Sequence, residues 1–404
     1  MQNSLSKVVK TAFAAGLIFL SACSGSSGGG SSYPLPSGDN VVYFTAAASG
    51  YVNEPVVTVT ICSPTDNTCQ SIPNVLLDTG SYGLRLFSSV ITVSLPTITV
   101  SGGNELAECQ VFGTGSTWGP VKSAKVVLGN EPAVTVPIQV IQSTYAAIPA
   151  GTTNYNCADA DTSPSAAGYN GILGVGMSTY DCGSYCTTTT NNLNYYSCPT
   201  PFNSGNSCSG NIAILSKQVT NPVAALSSDN NGVVLVTPPI SNSGADSVMG
   251  AMVMGIGTRS NNTPDITTVT TFPANSYNEF TTVFNGTTLS ASFIDSGSNG
   301  LYFPSTLTQC GGSYTTFYCP TVGTNLTATN KGTSGTPTGT VSFQIGNTIT
   351  LLNTGYSIFN NLGGYSAASN NYFDWGLPFF FGKTVYVGFS GQTSTLGTGP
   401  FWAY

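Results

Sequence analysis

The strongest constraint on this chain is that it contains one ten-residue segment twice. Val75-Leu-Leu-Asp78-Thr-Gly-Ser-Tyr-Gly-Leu84 returns as Ser292-Phe-Ile-Asp295-Ser-Gly-Ser-Asn-Gly-Leu301. From the aspartate onward, five of seven positions are identical and a sixth is a Thr/Ser exchange. A single Asp-Thr-Gly says little, because such residues make turns in every fold. Two copies, each entered by an apolar run and one in each half of 404 residues, describe a duplicated unit. Each apolar run reads as a buried strand and each Asp-[Thr/Ser]-Gly as the tight turn that leaves it. The glycine admits a second backbone, and the hydroxyls are free to hold the carboxylates. Brought together across a pseudo-twofold, the turns set two carboxylates side by side. Like charges that close do not both ionise, so the pair holds one proton over a wide pH range. One member then takes a proton from water while the other polarises a carbonyl: hydrolysis without a covalent intermediate.

Composition narrows the alternatives. The chain has no histidine. A Ser-His-Asp or Cys-His nucleophile, a His-ligated zinc site and a histidine proton shuttle are excluded together. Nine basic against 16 acidic residues exclude a nucleic-acid face, which needs clustered Lys and Arg. Only 6% of residues are charged, but 40% apolar and 11% aromatic residues argue for a packed chain. Strand signals dominate: β-branched or aromatic runs at 56–62, 91–100, 124–128, 134–141, 233–236, 341–345 and 385–389. The best short helix candidates are 212–219 and 305–309. An all-β chain in two lobes is expected, with its seam in the Ser/Asp/Asn cluster at 227–231. The lobes are 41–228, with a Cys-rich excursion at 182–210, and 229–404.

The N-terminus reads as an address. Lys7, Lys10 and the apolar stretch 12–20 make residues 1–22 a secretory signal, too short to span a bilayer. Its end, Leu20-Ser21-Ala22-Cys23, resembles the bacterial lipobox, which implies a lipid on Cys23. A Ser/Gly tether follows within residues 23–40, and Ser24 points to outer-membrane sorting. Without Cys23, ten cysteines remain, an even set that suggests five disulfides in an oxidising envelope. Cys62 with Cys69 and Cys310 with Cys319 are the easiest loops to close, and the full connectivity stays open. Cys182-x-x-x-Cys186 reads as a staple, so no metal site is assigned. Asp159-Ala-Asp161 reads as a solvated loop instead of a calcium site, and Glu105 and Glu108 as exposed acids.

At the twin motifs the chain resembles the pepsin-like aspartic peptidases, and within them a set of bacterial lipoproteins. Phe112-Gly-Thr-Gly-Ser116 is similar to the family's flap, and Tyr169-Asn-Gly-Ile-Leu-Gly174 to the strand behind the first catalytic turn. Asp374-Trp-Gly-Leu-Pro-Phe-Phe380 with Thr384-Val-Tyr-Val-Gly388 is similar to the matching segment of the second lobe. The likeness spans about residues 41–391. It implies a bilobal acid-protease fold, a catalytic pair Asp78 and Asp295, and no cofactor. Thr79 and Ser296 would cross-link the two turns. Ser81 and Ser298 would hold the outer carboxylate oxygens, with Gly80 and Gly297 giving the close approach. Phe112, Gly113, Thr114 and Gly115 would form the flap.

Three departures bear on function. Phe112 stands where the family usually has tyrosine, with Trp118 as a substitute donor. Trp375-Gly-Leu-Pro replaces the usual Leu-Gly-Asp, and no basic prosegment precedes the first strands. The expectation is a monomeric, lipid-tethered endopeptidase that takes a peptide or protein in the interlobe cleft. The alternatives are a binding protein on the same fold and a structural surface lipoprotein.

Overall fold

The computed structural model describes residues 33–47, 51–113, 115–146, 157, 160–200 and 207–404. Cys23, Thr114 and Asp159 lie outside the described residues. Strands form where β-branched side chains alternate in and out. In Pro55–Cys62, Val57, Val59 and Ile61 are buried while Thr58 is exposed, the period of two that a half-buried strand requires. The three α-helices described, Pro164–Ala167, Ser184–Thr188 and Thr348–Leu352, are single turns.

A fifteen-stranded sheet carries the first half and continues into the second. The junction is the first strand, Val41–Ala47, which pairs antiparallel with Ser247–Met254 from Val41↔Val253 to Ala47↔Ser247. Beyond it lie Gly232–Val236, Thr384–Gly388 and Phe401–Ala403. The second half adds its own seven-stranded sheet. The seam segment 227–231 therefore leads straight into a strand of the shared sheet.

The duplication is visible in the register. In the first half, Cys69–Asp78 runs parallel to Gly171–Val175, with Leu77↔Leu173 and Asp78↔Gly174. In the second, Thr287–Ile294 runs parallel to Asp374–Trp375, with Phe293↔Asp374 and Ile294↔Trp375. Leu77 and Ile294 each directly precede a motif aspartate, so Trp375 is the counterpart of Leu173, and Asp374 that of Ile172.

Three expectations need correction. Residues 91–100 form no strand: Pro96 interrupts them, and only isolated bridges at Thr97 and Thr99 remain. The helix candidates reduce to one 3-10 turn, Leu215–Lys217, and 305–309 is irregular. The segment 182–210 is not a surface excursion. Its strand Tyr195–Cys198 pairs with Glu105–Val111, and Tyr195 and Cys198 are fully buried. All ten described cysteines are paired: 62–69, 109–157, 182–186, 198–208 and 310–319.

Candidate active site

Each motif aspartate leaves a buried strand and enters a turn that the other half helps to hold. Thr79 Oγ1 donates to Ile294 O at 3.0 Å and accepts from Ser296 N at 2.9 Å. Ser296 Oγ reciprocates, donating to Leu77 O at 2.7 Å and accepting from Thr79 N at 3.1 Å. Both side chains are buried, so four hydrogen bonds cross between the halves in a dry environment. Asn53 adds a second lock beside the later motif, donating to Asn299 O and Phe359 O at 2.8 Å each.

Above this lock the turns are built alike. Gly80 N donates to Asp78 Oδ1 at 2.7 Å, and Gly297 N to Asp295 Oδ1 at 2.8 Å. Ser81 Oγ donates to Asp78 Oδ2, and Ser298 Oγ to Asp295 Oδ2 at 2.8 Å. The glycines fix how closely the carboxyl groups approach. A Cβ on Gly80 would lie 2.6 Å from Asp295 Cγ, and one on Gly297 would lie 2.8 Å from Asp78 Oδ1. Any side chain at either position would therefore force the pair apart. Each carboxyl thus lies against the glycine of the other turn, close enough for Asp78 to act on Asp295. Burial, the charge of Asp78 and then that of Asp374 push the Asp295 carboxyl well above the carboxylate range, while Ser298 opposes them. These surroundings favour the neutral form of Asp295 within the pair.

The expected flap is a hairpin of Glu105–Val111 and Ser116–Val127, closed by Phe112 N donating to Gly115 O at 2.8 Å. Gly113 is exposed near its tip, and Thr114 lies outside the described residues. Trp118 does not replace the missing hydroxyl. It is fully buried, its indole N–H donates to Ala146 O at 3.2 Å, and its ring packs edge-on to Tyr196.

Phe112 instead covers an ionic cluster that composition did not reveal. Arg85 Cζ lies 5.7 Å from the Phe112 ring centroid, within the range of a cation–π contact. Arg85 Nη2 meets Glu108 Oε1 at 2.6 Å and Asp181 Oδ2 at 3.4 Å, with all three side chains buried. Arg85 Nη1 donates to Tyr82 O at 2.6 Å, just after the first aspartate turn. Glu108 is therefore not an exposed acid; two carboxyls share one cation in the lobe interior. Burial and the neighbouring Glu108 charge drive the Asp181 carboxyl well above its ordinary range, so the cluster stores a proton. Glu105 is part-buried and accepts from Tyr145 Oη. Asp161 accepts from Tyr169 Oη at 3.4 Å. A pocket lined by Asn325, Leu326, Thr327, Ser342 and Phe343 lies on the hairpin Thr324–Lys331/Thr338–Ile345 and carries no ionisable side chain.

Sequence reasoning missed Arg85, Asp181 and Asp374. Arg85 carried a signal: a lone cation inside the apolar run Leu84-Arg-Leu-Phe87 needs a buried acid.

Among solved structures, an aspartic proteinase from Irpex lacteus superposes with a TM-score of 0.51 at 14% identity, covering 90% of this chain and 96% of that one. At that identity the likeness establishes the pepsin-like fold, consistent with the two-lobed β architecture described above. No curated protein matches the sequence. A family model described as "Protein of unknown function (DUF3443)" matches residues 37–404, and the chain belongs to that family.

Proposed function

We propose that this protein is an aspartic endopeptidase of the bacterial cell envelope, held to the membrane by a lipid on Cys23. The observation that carries the reading is the symmetric pair of turns, with all the hydroxyl and amide donors to both carboxyls in place. A chain kept only for binding has no need to hold two like acids this close to each other. In the reaction, ionised Asp78 removes a proton from a water molecule between the carboxyls, and its oxygen attacks the scissile carbonyl carbon. Asp295 gives its proton to the carbonyl oxygen, forming a neutral gem-diol. Collapse returns one diol proton to Asp295. The proton on Asp78 passes to the amide nitrogen, the C–N bond breaks, and the dyad again holds one proton. A peptide-binding surface protein is the second reading, favoured by one observation: Phe112 offers the substrate no hydroxyl from the flap.

The test is cleavage of an unfolded protein by the purified chain between pH 4 and 8, beside Asp78→Asn and Asp295→Asn. Each variant should lose about hundredfold or more, and the double variant little beyond that, because the pair acts as a unit. A statine-type inhibitor should block the wild type. No cleavage by folded wild type, or full activity in Asp295→Asn, refutes the peptidase and leaves the binding reading. Mass spectrometry of the mature N-terminus, with Cys23→Ala released from the membrane fraction, tests the anchor.

A further inference from the structure

We propose that Asp374 is a third carboxyl of this site, wired to Asp295 through Ser298, and that its ionisation delays the loss of the dyad's last proton. The inference rests on the peptidase reading for its consequence but not for its geometry. Strand alternation gives the direction of the side chain. Phe373 and Trp375 are fully buried and stack on each other at 3.9 Å in the aromatic core of the second lobe. Asp374, between them, must point to the opposite face, towards the catalytic turn. It is only 6% exposed, and its Oδ1 has no hydrogen-bond partner, an arrangement a buried acid does not hold without a reason.

The internal repeat shows that the fold does not require an acid here. The counterpart in the first half is Ile172, 2% exposed, in the same register beside the same kind of turn. The groups facing Asp374 are Asp295 and Ser298 from the turn, Asp78 across the cleft, Tyr302 from the neighbouring strand and Tyr372 beside it. No Lys or Arg is paired with it among the described residues.

Ser298 has one hydroxyl proton and two carboxyls within its reach. While Asp374 is neutral, Ser298 gives that proton to Asp295. Once Asp374 ionises, it competes for the hydroxyl and adds a second negative charge beside Asp295. Both effects raise the proton affinity of Asp295. Burial already pushes the Asp374 carboxyl up to about 8. Once ionised, it therefore delays the loss of the dyad's last proton.

The test uses the purified full chain, its Asp374→Asn variant, which keeps the volume, and Asp374→Ile, which copies the first lobe. The pH profile of kcat/KM is the first readout. In both variants the alkaline limb should move about one pH unit towards acid, an approximately tenfold loss at a pH on that limb. A packing role would change the height of the profile and leave the limb in place. The second readout is independent of activity: titration of 13C-labelled aspartate carboxyls by NMR, where the Asp295 signal should titrate at lower pH in both variants. An unmoved limb with an unmoved Asp295 titration overturns the proposal. If wild type cleaves nothing, the carboxyl titration alone decides the coupling, and only the peptidase reading falls.

Discussion

Replacing Arg85 with methionine keeps an unbranched side chain in the lobe interior but removes the cation that Glu108 and Asp181 share among the described residues. In the wild-type cluster, burial and the Glu108 charge favour the neutral form of Asp181 beside the Arg85 guanidinium. Without the guanidinium, the remaining carboxylate has no partner charge in a dry site and must take a proton for the lobe to stay folded. At pH 7, neutralising a carboxyl of ordinary strength costs about 3.7 kcal/mol, and at pH 5 about 1 kcal/mol. The lost bond to Tyr82 O adds about 1 kcal/mol at either pH. Arg85→Met should therefore cost about 4–5 kcal/mol at pH 7 and about 2 kcal/mol at pH 5. Urea unfolding at the two pH values, followed by tryptophan fluorescence, measures both numbers.

The control is the double variant Arg85→Met/Glu108→Gln. A neutral amide facing a protonated Asp181 needs no proton beyond the one wild type already takes up, so the pH dependence of the loss relative to wild type should vanish and much of the pH 7 loss should return. The same loss at pH 5 and pH 7 in the single variant would refute the charge argument and leave packing as the explanation. Because Phe112 rests on Arg85, a peptidase carrying the single variant should also show a raised KM for peptides, from a flap that closes less firmly.

The interlobe lock sets a second expectation. Thr79→Val leaves Ile294 O and Ser296 N unpaired and should cost about 2–4 kcal/mol in urea unfolding, whereas Thr79→Ser should cost about 1 or less. The disulfides should differ by the loop they close. Removing Cys109–Cys157, 48 residues apart, should cost about 4 kcal/mol, and removing Cys182–Cys186, four apart, about 2, compared by denaturant midpoints of Cys→Ser pairs. Stability should also depend on pH in one direction. Asp181, Asp295 and Asp374 are all held above their ordinary values, so their contribution is complete below the ordinary carboxyl range, about pH 4. It is lost as pH rises through the folded values, about 8 for Asp374. Urea midpoints should fall between pH 5 and 8, and a rising midpoint would contradict these assignments.

The twin aspartate turns were legible because their signal is local. A buried strand, an aspartate, a hydroxyl and a glycine lie within a few residues, and duplication separates them from ordinary turns. Long β-branched runs such as Val134–Ile141 were legible for the same reason. Residues 91–100 misled because their composition suits a strand, but a ladder depends on partners that Pro96 and the neighbouring chain do not supply. Tyr195–Cys198 was hidden because four residues are too few to show a period, and its burial comes from Glu105–Val111, some ninety residues earlier. Glu108 misled because its partner Arg85 sits 23 residues away on another strand. Asp374 needed the repeat extended past the motif, by laying Gly171-Ile-Leu-Gly174 over Phe373-Asp-Trp-Gly376, which only the two parallel pairings make natural.

That overlay also shows how a symmetric scaffold holds an asymmetric site. Both halves supply the same strand, turn, hydroxyls and glycine, so the carboxyls alone would be equivalent and either could hold the proton. The surroundings break the tie. Beside the second turn, Asp374 adds a buried acid that raises proton affinity at Asp295. Beside the first, Ile172 adds no charge, and the buried ions of that lobe stand behind the flap, with Arg85 bonded to the backbone that leaves the turn. One lobe thus carries buried charge beneath Phe112 of the hairpin, and the other a buried acid beside the motif aspartate. In a chain without histidine, carboxyls must supply the titrating groups near neutral pH, and burial beside other carboxyls is the available means of moving one there. A buried acid beside the motif aspartates costs stability as the pH rises, which an apolar residue such as Ile172 at the counterpart position does not. If the proposed chemistry holds, the acid at 374 offsets that cost by acting on the proton of Asp295.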